Sequence, residues 1–109
     1  MNDRILSTLS IARKAGKVSS GESAVLSDIR SFNSFLVLIA GDASEGTKKK
    51  FYDKSSFYEV PCYTYSTKDE LAHAIGKEER SVISDQDGGF AEKIIERLEE
   101  AGINGKQKD

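Results

Sequence analysis

The residues able to carry covalent or acid–base chemistry are few. His73 is the single histidine and Cys62 the single cysteine in 109 residues. Asp69 precedes His73 by four positions, one helical turn, and several serines complete the set that a Ser/His/Asp hydrolase needs. No G-x-S-x-G elbow accompanies them, and His73 between Ala72 and Ala74 reads better as a helix-face residue. Cys62 stands in "VPCY" without a companion, so a buried structural thiol is the expected role. Zinc is not expected from one His and one Cys far apart. Asp85 and Asp87 lack the spacing of a calcium loop and read as capping and solubilising charge. The phosphate loops G-x-x-x-x-G-K-[ST] and G-x-G-x-x-G are absent, and "DGG" at 87–89 reads as a turn or helix start. Neither an enzyme nor a cofactor is expected.

Chemistry of another kind is possible in "KVSSGESAVLSDIR", residues 17–30, a loop that turns into a helix. A helix start with free backbone N–H groups attracts phosphate oxygens. Gly21 has no side chain to keep a partner's backbone away. Arg13, Lys14 and Lys17 lie just before it, and Lys48 to Lys50 form a second basic cluster. The competing reading is a capping box, with Ser19 or Ser20 as N-cap and Glu22 as its partner, which satisfies those N–H groups internally. On local sequence alone the capped reading is the better one.

The elements that must position these residues follow from periodicity. Ile5, Leu6, Leu9, Ala12 and Ala15 form the stripe of an amphipathic helix over 3–15, stopped by Gly16. A short extended piece, 17–19, leads to a second helix with Val25, Leu26 and Ile29 inward. "FLVLIA", 35–40, reads as a central strand buried on both faces. Ser44 caps a third helix through about 58. "VPCYTY" is a short strand with Pro61 at its mouth. Thr67 and Glu70 make another capping box, ahead of a helix with Leu71, Ala74 and Ile75 inward and Gly76 at its end. "SVIS" is a fourth strand. Asp87 begins a last helix to about Ala101, with Phe90, Ile94, Ile95 and Leu98 inward, followed by a tail expected to fray from about 102. Alternating helices and strands argue for an α/β fold, a central sheet covered on both faces, in one domain spanning 1–109.

Composition narrows the class further. Hydrophobic residues make up 38% and charged residues 31% of the chain, as in globular proteins. The longest apolar run has six residues, too short for a bilayer, and "MNDRILSTLS" does not read as a secretory signal. A single cysteine fits a reducing compartment, so a cytoplasmic location is expected. Net charge is −2, which argues mildly against indiscriminate nucleic-acid binding, but residues 1–54 carry +3 and residues 55–109 carry −5.

In order along the chain, "ARKAGKVSSGE", "FLVLIAGDAS", "TKKK", "VPCY", "DELAHAIGK" and "FAEKI" resemble the bacterial YlxQ-like branch of the L-seven-Ae/L-thirty-e family of ribosomal proteins. The resemblance covers roughly residues 4–98. It implies a three-layer α/β/α sandwich around a four-stranded mixed sheet, of the L-thirty-e type, and a monomer. It also implies binding to RNA kink-turns, sharp internal-loop bends with tandem sheared G·A pairs, and association with ribosomal or other ribonucleoprotein components. In such proteins the second helix points its N-terminus at the bend, and the loop before the last strand packs on flipped-out nucleotides.

Carried over to this chain, the family's G-x-N-E-x-x-K start becomes Gly21, Ser23, Ala24 and Ser27. The glycine is kept. Ser23 stands where Asn is common, Ala24 where Glu is common, and Ser27 where Lys is common. The resemblance assigns phosphate contact to Lys17, hydrogen bonding to Ser20 and Ser23, and a place at the site to Glu22. The distal loop is Lys77, Glu78, Glu79, Arg80 and Ser81, where the family more often has apolar residues. Glu78 and Glu79 repel RNA; Lys77 and Arg80 attract it, with Arg80 expected to clamp from the side. Two functions follow: a small RNA-binding protein, or a protein-interaction module on the same fold with RNA binding weakened or lost.

Overall fold

Four of the five helices in the described residues begin where the sequence places a polar side chain on an open N–H. The computed structural model describes residues 3–105. Asp3 accepts from the Leu6 N–H at 2.9 Å and starts α1 (Arg4–Lys14). Ser44 accepts from Thr47 at 3.1 Å and starts α3 (Glu45–Phe57). Thr67 accepts from Glu70 at 3.1 Å and starts α4 (Lys68–Ala74). Asp87 accepts from Phe90 at 2.9 Å and starts α5 (Gly88–Glu100). Such a cap contributes about 1 kcal/mol. The exception is α2 (Glu22–Arg30), which no side chain caps.

The strands are β1 (Val18–Ser20), β2 (Leu36–Ile39), β3 (Cys62–Thr64) and β4 (Val82–Asp85). They form one sheet in the order β1-β4-β2-β3. β2 and β3 are parallel; β4 runs antiparallel to both β1 and β2, so the sheet is mixed. Helices α2 and α3 pack together on one face, and α1 packs with α4 and α5 on the other. This is the expected sandwich. All four residues of β2 and of β4 are buried, as central strands require. Phe51, Leu9, Ile29 and Ile94 fill the space between sheet and helices. No helix among the described residues is long and apolar enough to cross a membrane.

Several boundaries differ from the sequence-based expectation. Phe35 is not part of the buried strand; it is 47% exposed, and β2 begins at Leu36. β4 runs one residue further than "SVIS", through Asp85. Ala15 is exposed because α1 has already ended at Lys14. In α4, Ala72 is buried and Ala74 half-buried. The Thr67 box is half made, because Glu70 accepts from the Ser66 hydroxyl at 2.6 Å. In the expected tail, Gly102 turns at φ +79 and the Ile103 N–H bonds to Leu98 O at 2.9 Å, closing α5. Ile103 packs against the core. Positions 106–109 lie outside the described residues.

Asp85 is an ionisable group at the end of a central strand, 1% exposed and paired with both Val18 and Leu36. Its Oδ1 accepts from the Asp87 N–H at 2.9 Å, while Oδ2 has no partner among the described residues. Burial pushes its pKa up to about 6; the hydrogen bond from Asp87 works against that shift, and the Asp87 charge adds to it. The folded protein therefore holds this proton more tightly than the unfolded chain does. Its contribution favours the fold below about pH 4 and is lost as pH rises toward 6. Asp85→Asn should be more stable than the parent at pH 7.5 by roughly 1–3 kcal/mol, with the gap narrowing at pH 5. Urea unfolding of both proteins at pH 5, 6 and 7.5 measures this; a gap that does not change with pH would show that Asp85 does not titrate in that range.

Candidate nucleic-acid interface

The chain passes from β1 to α2 through one residue. Gly21 has φ +91 and ψ 153, a conformation open to glycine and strained for any other residue. Its surroundings do not demand glycine, since a Cβ there would meet nothing within 4 Å. Its N–H donates to Val82 O at 3.1 Å, extending the β1–β4 ladder, and its carbonyl accepts from the Val25 N–H at 3.0 Å, beginning the helix. Space is open on the outer side.

The expected capping box is not formed. Ser19 and Ser20 belong to β1, and neither caps α2. Ser19 donates its hydroxyl to Asp28 Oδ2 at 2.7 Å, where Gln86 Nε2 also donates at 2.9 Å. Ser20 Oγ accepts from Arg80 Nε at 3.0 Å. Glu22 is the first residue of α2 and reaches to α3, accepting from the Thr47 hydroxyl at 3.1 Å and from Lys50 Nζ at 3.3 Å. The first turn of α2 is thus left without a side-chain partner on its N–H groups. These groups and the helix dipole make that turn a positive end of the molecule.

The distal loop stands beside this turn. Gly76 at φ +69 ends α4, and the Lys77 N–H returns to Ala72 O at 2.9 Å. Arg80 shapes the loop: besides holding Ser20, its Nη1 donates to Glu78 O at 2.5 Å and Glu79 O at 3.3 Å. Its Nε and Nη1 are therefore engaged within the protein. Lys77 and Glu78 are exposed, and Glu79 lies 3.9 Å from Lys68 Nζ. Ser23, Ala24 and Ser27 are exposed on α2. Ser23 and Ser27 line a shallow groove of about 440 Å³ with Leu26, Arg30 and Ser31.

Lys17 stands at the other end of β1 from Gly21. It precedes β1, which runs away from it, and its carbonyl accepts from the Gln86 N–H at 2.7 Å. Four extended residues place it roughly 13 Å from Gly21. Lys50, offered by the sequence only within the basic cluster 48–50, is brought to Glu22 at this end, and Arg30 lies in the last turn of α2 along the same groove. Arg30 follows Ser23 and Ser27 on one helix face, a spacing that could have revealed it. Lys50 reaches α2 only through the packing of α3, which leaves no local signal. His73 is exposed over an open groove of about 640 Å³ between α1 and α4; it makes no hydrogen bond to Asp69 or to a serine among the described residues. Cys62 is buried.

Comparison with known proteins fits this geometry. Residues 3–95 match the ribosomal protein L7Ae/L30e/S12e/Gadd45 family. An RNA-binding protein YlxQ of Enterococcus faecium is 43% identical over 96 residues, covering 88% of this chain and 92% of that protein. The RNA-binding protein YlxQ of Bacillus subtilis (strain 168) is 43% identical over 91 residues, covering 84% and 91%. A solved structure of a protein with unknown function from Bacillus halodurans C superposes with a TM-score of 0.87 at 34% identity, over 90% of this chain and 99% of that one. The Giardia lamblia 15.5kD RNA binding protein shares the fold, with a TM-score of 0.76 at 18% identity over 92% of each chain. With its fold, its ordered sequence pieces and these relatives in agreement, the chain belongs to the L7Ae/L30e/S12e/Gadd45 family, in its YlxQ-like branch.

Proposed function

We propose that this protein is a small cytoplasmic, monomeric RNA-binding protein that grips a kink-turn or related internal loop, and that it works with ribosomal or other ribonucleoprotein components. The observation that carries this reading is the uncapped first turn of α2 behind Gly21, with the 77–81 loop held beside it by the Arg80–Ser20 hydrogen bond. Backbone donors at a helix start suit a phosphate, and the adjacent loop suits a splayed-out nucleotide. Two relatives named for RNA binding support RNA as the ligand class. Catalysis forms no part of this reading.

A second reading, a protein-interaction module, draws on the opposite end of α2 and α3. There Phe32 and Phe57 are 75% and 78% exposed, and both pack edge-on against Tyr58. Protein partners that survive complete RNA digestion and are lost in Phe57→Ser would favour it; a purely RNA-dependent set of partners would count against it.

Fluorescence anisotropy with a kink-turn RNA, beside a fully paired duplex of equal length, tests the first reading at two salt concentrations. Selective binding to the kink-turn is expected. Equal, steeply salt-dependent binding to both would leave only nonspecific attraction, and no binding to either would remove the reading. Gly21→Glu should abolish binding, but its backbone strain requires a parallel melting curve. Ser23→Asp separates the effects: a carboxylate in the first turn favours the helix by about 0.3–1 kcal/mol yet repels phosphate. Wild-type affinity in Ser23→Asp would sink the site assignment. Ser27→Lys should tighten kink-turn binding about tenfold, the equivalent of one modest charge-assisted contact; unchanged affinity would show that phosphate does not pass over position 27.

A further inference from the structure

Lys50 lies on α3, an element that the proposed RNA site does not otherwise use. The structure nevertheless brings its ammonium to the first turn of α2, 3.3 Å from Glu22 Oε1. Thr47, one turn earlier on α3, donates its hydroxyl to Glu22 Oε2 at 3.1 Å and accepts from the Ser44 hydroxyl at 3.0 Å. One carboxylate therefore joins the starts of two helices.

The three consecutive lysines of α3 have different fates. Lys48 pairs with Glu45 at 3.5 Å and Lys49 with Asp53 at 2.9 Å, both within α3. Lys50 alone of the three crosses to α2. Its side chain and that of Glu22 are 45% and 46% exposed. An ion pair this open to water adds little to stability and exchanges partners readily. It also sits where the functional reading puts a phosphate, on a helix that has Ser27 and no lysine. Glu22, uncompensated, would repel that phosphate.

Resting on that functional reading, we propose that Lys50 is a phosphate ligand of the RNA site and that Glu22 is its substitute partner in the free protein. When RNA binds, a backbone phosphate takes the place of the Glu22 carboxylate on the Lys50 ammonium. Glu22 remains held by Thr47, turned toward α3. In the free state the pair is neutral, so the site does not attract polyanions indiscriminately. A phosphate displaces Glu22 when the rest of the RNA already fits the first turn of α2.

The test is the salt dependence of binding to the kink-turn RNA. Each phosphate neutralised by a cation contributes about 0.7–0.9 to the slope of log K against log salt. Lys50→Met should lower that slope by about one contact and weaken binding about tenfold at low salt. Lys49→Met, whose partner is on its own helix, should change neither. Glu22→Gln, which keeps an acceptor for Thr47, should tighten binding. A wild-type slope in Lys50→Met, with RNA still bound, would overturn this inference and leave the α2 site standing. Weaker binding in Glu22→Gln would overturn the exchange, since Glu22 would then be contacting the RNA itself. Failure of the wild-type protein to bind any RNA would overturn the functional reading together with this one.

Discussion

Between Ser20 and Glu22 the backbone changes from strand to helix within one residue, and only glycine adopts the required geometry without strain. Much of the molecule's upper end follows from that constraint. β1 stays paired with β4 to its last residue, and α2 starts immediately beyond. A longer connection would leave room for a serine or threonine to fold back over the helix start, as happens in α3 and α4. Here there is no such room. The serines just before the turn belong to the strand, and their hydroxyls are committed to Asp28 and Arg80. The open N–H groups of α2 are a result of this connection, independent of which side chains happen to surround it.

The same comparison explains what could be read from the sequence. Ser44, Thr67 and Asp87 were legible as caps because capping depends on residues three apart in one chain segment. Ser19 and Glu22 have the same spacing and fail, because β1 exists only through β4, a strand contributed from the far end of the chain. Local pattern competes with tertiary pairing there, and pairing wins. Lys17 stands at the other end of β1 from Gly21, because a strand carries its two ends apart. Gly21 was legible at the helix start itself and the 77–81 loop through family resemblance, and the structure ties the loop to the residue before Gly21 through Arg80 and Ser20. Lys50 was legible only as one of the basic cluster 48–50; which of the three lysines crosses to Glu22 is set by the α2–α3 packing, which has no sequence period.

Charge is distributed to suit short-range fit. The chain is slightly acidic overall, and its most basic segment, Lys48 to Lys50, is matched lysine by lysine with carboxylates. A segment paired in this way has little long-range field of its own. Selectivity in a protein of this kind must come from geometry at contact, from fixed backbone donors and a shaped loop, with side chains adjusting the result.

β4 is the last strand among the described residues and lies between the first and the second. During synthesis, β1, β2 and β3 are all made before Val82 appears. Until then β1 has no neighbour in the sheet, and β2, buried along its whole length in the finished protein, has β3 alone. Gly21 likewise lacks its hydrogen-bond acceptor, which is Val82 itself. A nascent chain thus exposes an apolar strand edge, the kind of surface that recruits chaperones or aggregates. The turn at Gly21 acquires its shape only once β4 has been made, so the open first turn of α2 is not assembled before the sheet is.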